Sequence, residues 1–305
     1  VMRRSGDRNE WLTTLRELFR SVSVDSFAPP DVKPGNTQGC TYLSLSHGQV
    51  RVRLQGPLDA PPVILLHDPP GSVHSLAALA ADLAATRRVI TMDFPGEGES
   101  DPLPTPDCHH FGAVIAQVLE SLGIAQADVY AQHLAVPIAV ECAVQSPQRV
   151  RRLLLDGPQL LGKSEARQLW KQYCPSVTPK WDGSHLVTLW HVLRDRELNW
   201  PWYSRAVSSI RQRPLTRDAA NLHALVTDLV KQPARYADAC LAAIECKLAD
   251  AAARLACQVV TLQAENDVRY QSSGKFARGV PQGRLIQFSL PPTGSMAAVL
   301  EPLLD

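Results

Sequence analysis

One histidine stands where a strand gives way to a helix. His133 follows the apolar run 127–130 and precedes a helical stretch whose apolar side chains cover 138–144. At such a junction the helix N-terminus and burial both favour neutral imidazole. Near pH 7 that group can serve as a general base or as a nucleophile. A carboxylate and a hydroxyl follow the last two strand-like runs: Asp267 after 258–262 and Ser295 after 285–290. Asp156, directly after 150–155, is a second candidate acid. Each has a plainer role open to it. Ser295 precedes Met296 and can cap the final helix, and an acid at a strand end often caps or pairs.

A further group lies between residues 170 and 202, where five of the six tryptophans fall (Trp170, Trp181, Trp190, Trp200 and Trp202). They interleave with His185, His191, Arg194, Asp195 and Arg196. As a lid over a sheet edge they would line an apolar slot, with Arg194 or His185 holding a carboxylate or carbonyl and Trp202 touching the ligand. As a small helical subdomain they would be packing, Trp190 above all, since it shares a face with Leu186, Leu189 and Leu193.

Much chemistry is excluded. His109 and His110 are adjacent and cannot share a helix face, so no metal pair is expected there. The seven cysteines stand singly with no CxxC, which argues against a zinc site or a disulfide framework and for a reducing cytoplasm. No P-loop or dinucleotide fingerprint occurs, so no cofactor and no metal are expected. A formal net charge of +1 over 305 residues disfavours nucleic acid as a partner. No apolar run reaches membrane-span length, and Val1-Met2-Arg3-Arg4 does not open a signal peptide. The expected partner is a small-molecule substrate, with a homodimer left open.

The elements that must position these residues alternate. An amphipathic helix is expected over 9–22, then a Pro/Gly-rich linker, then two strands over 41–46 and 49–55. From Pro62 continuous apolar runs, the mark of strands buried on both faces, alternate with helices up to 150–155. Residues 158–255 read as helices only, and strand grammar returns at 258–262 and 285–290. This predicts an α/β core formed by 1–157 and 256–305, a mostly parallel open sheet flanked by helices, with a helical cap over 158–255. In such sheets ligands bind beyond the carboxyl edge.

Four motifs in this order resemble the α/β-hydrolase fold family, in its capped esterase, epoxide-hydrolase and C–C-hydrolase branch. His67-Asp68-Pro69-Pro70-Gly71-Ser72 is similar to the H-G-x-P-G-S oxyanion loop, and Asp93-Phe94-Pro95-Gly96-Glu97-Gly98-Glu99-Ser100 to D-x-P-G-x-G-x-S. Ala131-Gln132-His133-Leu134-Ala135 stands at the nucleophile elbow, and Ala264-Glu265-Asn266-Asp267 resembles G-x-D-D. The resemblance implies a nucleophile slot at His133, an acid at Asp267 and a base slot at Ser295. Those slots read His, Asp, Ser, where the family has Ser, Asp, His. It also implies oxyanion donors at positions 69 and 134. Pro69 has no N–H to give, which leaves Leu134.

Ordinary serine-ester hydrolysis is therefore disfavoured. Two readings follow. One is an enzyme with a rearranged His133/Asp267/Ser295 site acting on a small apolar or aromatic carbonyl compound, by hydrolysis or by lyase-type C–C or C–X cleavage. The other is a non-catalytic protein of the same fold that binds a ligand or partner.

Overall fold

The computed structural model describes residues 39–211, 218–265, 267–289 and 295–305. The helix expected over 9–22 lies outside them. Two antiparallel strands open the described chain, β1 (Gly39–Leu45) and β2 (Gly48–Gln55). In β2 the buried residues Val50, Val52 and Leu54 alternate with half-buried ones, as one covered face requires. The remaining strands are β3 (Pro62–Leu66), β4 (Arg88–Met92), β5 (Ala127–Gln132), β6 (Val150–Asp156), β7 (Gln258–Ala264) and β8 (Gly283–Phe288).

The order across the single sheet is β1-β2-β4-β3-β5-β6-β7-β8, and all strands from β3 to β8 pair in parallel. Swapping β3 and β4 opens a crevice beyond the carboxyl ends of the central strands. Asp68, His133, Asp156 and Asp267 leave β3, β5, β6 and β7 at that edge.

Helices cover both faces. On one side α2 (Cys108–Ser121) and α3 (Val136–Gln145) bury Phe111, Ile115, Val118, Ile138 and Val140. On the other, α1 (Ala77–Leu83) and the C-terminal helix Ala297–Leu304 cover Val63, Leu65 and Tyr130. A fully buried Leu or Phe there contributes roughly 1.5–3 kcal/mol, so these apolar runs carry the core.

Between β6 and β7 run α4 (Lys163–Gln172), α5 (Ser184–Leu198), α6 (Ala219–Leu229), α7 (Asp238–Glu245) and α8 (Leu248–Ala252). Val177, Leu189, Leu193, Leu222, Leu225, Leu229 and Tyr236 form an apolar cluster of their own. By contrast, Cys240, Ala243, Ile244, Leu248 and Ala252 belong to the main core. The last two helices of the 158–255 segment thus serve the sheet's flanking layer, because their small apolar faces pack on α2 and α3. Among the described residues no helix is long and apolar enough to cross a membrane.

Candidate active site

The turn after β5 is tight enough to force a side chain into left-handed backbone. His133 has φ +46°, the sole non-glycine residue at positive φ among those described. For a residue with a Cβ this costs roughly 1–2 kcal/mol, and it persists where the surroundings fix the bend. A 3₁₀ turn over His133–Ala135 leads into α3, whose second residue is Pro137. The ring is buried, and its Nδ1–H donates to the Gly157 carbonyl at 3.4 Å. A carbonyl can only accept, so Nδ1 carries a proton in this contact, and in the neutral ring Nε2 is then the basic nitrogen. Gly157 must be glycine for this to fit: its φ is +66°, and a Cβ there would come within 2.5 Å of Nδ1.

Tyr270 packs edge-on to the imidazole, ring centroids 5.2 Å apart. Its hydroxyl donates to Asp156 at 2.7 Å, and the Tyr130 hydroxyl donates to the same carboxylate at 2.6 Å. Gln132 Nε2 donates to Tyr130 Oη at 3.0 Å. Burial, and then the adjacent Asp156 charge, push both tyrosine hydroxyls well above their ordinary range. Asp156 is therefore spent on orienting two tyrosines.

The oxyanion position is filled by the chain itself. Leu134 N–H, the donor expected there, donates to Asp68 Oδ1 at 3.1 Å. Asp68 Oδ2 accepts from Arg196 and from Arg269, each at 2.7 Å. Burial would raise this carboxyl, but the two guanidinium groups, Arg269 first, hold it well below the usual carboxylate range. Arg196 also donates to the Pro70 carbonyl at 2.6 Å, so an arginine of α5 holds the Asp68–Pro70 loop. Arg269 stacks on Trp200 at 4.3 Å, and its Nε and Nη2 are buried without an acceptor.

Asp267 and Ser295 are both committed elsewhere. Arg211 grips Asp267, with Nη2–H to Oδ2 at 2.6 Å, and Asp267 Oδ1 caps the Arg269 amide at 3.0 Å. Ser295 lines the same cavity as His133 but donates to Asp82 and accepts from Ala297 N–H at 3.1 Å. Of the three expected slots, His133 and Ser295 line one cavity, and Asp267 is joined to its wall through Arg211.

The cavity has a volume of ≈ 430 Å³ and is bounded by His133, Gln132 and Asp156 below, and by Arg196, Arg211 and Arg269 at one side. Leu76, Leu79, Leu225 and Met296 supply its apolar wall. The three expected substrate contacts lie off it. His185 Nδ1 accepts from Lys180 N–H, Arg194 pairs with Asp195, and Trp202 Nε1–H donates to the Tyr173 carbonyl at 2.8 Å. The tryptophans do not line it either: Trp181 is fully exposed and Trp200 lies under Arg269. The expected apolar slot is thus replaced by a charged one. Helix phase explains the arginine: Arg194 and Arg196 lie about 200° apart around α5, so only one can face the sheet. Arg211 and Arg269, which the sequence reading passed over, carried no signal beyond their charge.

Two further acids lie buried behind the oxyanion loop. Asp93 accepts from Val73 N–H at 2.7 Å, and burial pushes it up to about 6. Glu97 accepts from Gly71 N–H at 3.1 Å, and burial holds it well above its ordinary value. His67 sits 3.7 Å from Glu97 and edge-on to Phe94, a structural place in the loop. Among the described residues no group of three His, Cys, Asp or Glu side chains could hold a metal ion.

The sheet order, the elbow and the loop beyond β3 together define an α/β-hydrolase fold. The family model for that fold matches residues 61–286, and the chain belongs to this family. Similar solved structures include a hydrolase from Pseudomonas aeruginosa PA01 (21% identity, TM-score 0.64, 88% of this chain and 96% of that one). The enol-lactonase from Burkholderia xenovorans LB400 is also similar (16%, 0.63, 86% and 95%). So is a thermophilic esterase from Thermogutta terrifontis (18%, 0.64, 87% and 96%). At these identities the likeness concerns the fold. A Pseudomonas putida protein, the dihydrolipoyllysine-residue acetyltransferase component of the acetoin cleaving system, is 32% identical over 104 residues. That match spans 34% of this chain and 28% of that protein.

Proposed function

We propose that the chain is an enzyme that uses His133 as an acid/base on a small polar carbonyl compound, without a serine acyl-enzyme. The observation that carries this reading is the strained elbow, which holds an imidazole at the cavity with Nδ1 3.4 Å from the Gly157 carbonyl oxygen. Nε2 would take a proton from carbon or hydroxyl of the bound substrate, beginning C–C or C–X cleavage of the lyase type. Arg196, Arg211 and Arg269 line the cavity, and their positive charge is suited to negative charge developing on the carbonyl oxygen. Hydrolysis through Ser295 is the weaker branch, since that hydroxyl serves Asp82. The charged wall favours polar substrates over the aromatic ones that the tryptophans suggest.

The test is solvent exchange. Small 2-oxo, 3-oxo and 3-hydroxy acids are incubated with the protein in deuterium oxide and followed by NMR for label at carbon and for cleavage products. The wild type exchanges or cleaves at least one, and His133→Ala loses roughly 10²–10⁴-fold, the usual weight of a positioned acid/base. Equal rates in the two proteins would remove His133 from the chemistry.

A specific observation favours a second reading, a non-catalytic binding protein: the Asp68 carboxylate sits where an oxyanion would be stabilised. On that reading a member of the panel raises the thermal midpoint while no label enters it and no product forms.

A further inference from the structure

A second histidine borders the cavity, and the chemistry proposed for His133 gives it no task. His74 lines the same ≈ 430 Å³ space from the turn Val73–Leu76. That turn follows β3 and His133 follows β5. The two strands pair directly, so both rings belong to neighbouring positions at one edge of the sheet. The turn is firmly seated: Asp93 accepts from Val73 N–H at 2.7 Å, and Ser72 Oγ accepts from His74 N–H at 3.3 Å.

The cap supplies the ring's partner. Asp228, buried on α6, meets His74 Nδ1 at 2.7 Å through Oδ2. Lys231 Nζ donates to Asp228 Oδ1 at 2.9 Å and to Glu99 Oε1 at 2.7 Å, which ties this carboxylate to the loop after β4. Burial would raise the Asp228 carboxyl, but hydrogen bonds from Lys231, Ser72 and His74 hold it below its ordinary value. An ionised carboxylate has no proton to give, so Nδ1–H is the donor and Nε2 is the nitrogen that exchanges a proton. Nε2 has no hydrogen-bond partner among the described residues, and the ring is half-buried. A carboxylate that fixes one nitrogen of a cavity-lining imidazole, and balances its charge when both are protonated, is the arrangement of a positioned acid/base.

We propose that His74 is the acid that complements His133 as base, a role that rests on the chemistry proposed for His133, with Asp228 as its positioning residue. On a 3-hydroxy carbonyl substrate, His133 Nε2 takes the hydroxyl proton and the O–H pair becomes a C=O bond. The C–C bond breaks, its electron pair forms the C=C of an enol, and the former carbonyl oxygen takes the proton from His74 Nε2. His133 ends protonated and His74 neutral, and exchange with water restores both. On a 2-oxo acid the same pair of transfers, starting from C–H, gives the enol and hence deuterium exchange.

The test is the deuterium-exchange assay on the same 2-oxo, 3-oxo and 3-hydroxy acids. His74→Ala loses roughly 10²–10⁴-fold with native circular dichroism, and free imidazole restores part of that loss where sodium chloride of equal ionic strength does not. His74→Gln keeps a donor for Asp228 but no titrating nitrogen, so it loses as much as alanine. Asp228→Asn also lowers the rate while the acid still binds. If the pair only clasps the cap to the core, His74→Gln exchanges like wild type and imidazole restores nothing; either result overturns the proposal. Loss in His133→Ala with wild-type rates in both His74 variants sinks this role alone, whereas no exchange by the wild type sinks the His133 chemistry as well.

Discussion

Replacing Asp68 with alanine removes the anion that fills the oxyanion position, and the cost follows from its partners. Its carboxylate serves one backbone N–H and two buried arginines. Breaking a buried ion pair by deleting one partner costs roughly 3–5 kcal/mol. Both arginines and Leu134 N–H are left uncompensated here, so the upper end, about 5 kcal/mol, is expected. For 305 residues that corresponds to a fall of roughly 8 °C in thermal midpoint. The emptied cradle should then accept a carboxylate from solution. Acetate or formate at about 100 times its dissociation constant would restore roughly 2.7 kcal/mol, whereas chloride at equal ionic strength restores little. The assay is thermal unfolding of wild type and variant across an acetate series. The wild type has a depressed Asp68, so this contribution is present above the ordinary carboxylate range near ~4 and is lost as pH falls through the folded value below it. A variant within about 1 kcal/mol of wild type and unmoved by acetate refutes the ion-pair argument.

Other perturbations separate the parts. Asp93 is raised to about 6, so the native state binds more protons than the unfolded chain between the two values. Stability should fall as pH rises from about 4 to 6 on this account, and Asp93→Asn should flatten that slope in pH-dependent denaturant titrations. Gly157→Ala should abolish His133-dependent exchange while circular dichroism stays native, because the new Cβ meets Nδ1 at 2.5 Å. Ser295→Ala should leave exchange near the wild-type rate, since the hydroxyl serves Asp82 and the Ala297 amide; a loss of roughly 10²-fold in the NMR assay, the weight of a residue in the acid/base chemistry, would restore the transposed His133–Ser295 pair.

The sequence made the architecture legible because the central strands announced themselves by burial, whereas in β8 only Phe288 is buried and the strand begins at Gly283, two residues before the expected run 285–290. Runs such as Val63–Leu66 can only be covered on both faces, and the β1–β2 hairpin turns at Ser46-His47, one residue before the break at His47-Gly48 that separates the expected strands 41–46 and 49–55. The elbow was legible too, since chain order alone puts His133 after β5. What escaped was the ionic wiring. Asp68 stood in plain view in place of a loop glycine, but its effect depends on Arg196 and Arg269, which lie 128 and 201 residues away. Arg211 reaches Asp267 across 56 residues, with no periodicity to mark it. Long-range ion pairs have no local sequence signature, whereas strands and helices do. The tryptophans misled for a related reason: apolar rings announce burial, but not which surface buries them.

The claim beneath all of this is that the elbow imidazole offers Nε2 to the cavity. Long-range ¹⁵N–¹H NMR of the histidine rings at neutral pH tests it, with His133→Ala giving the assignment. The expected result is a His133 proton on Nδ1 and an unprotonated Nε2 whose shift moves when a bound carbonyl acid fills the cavity. A proton on Nε2, or an Nε2 signal indifferent to that ligand, would contradict it.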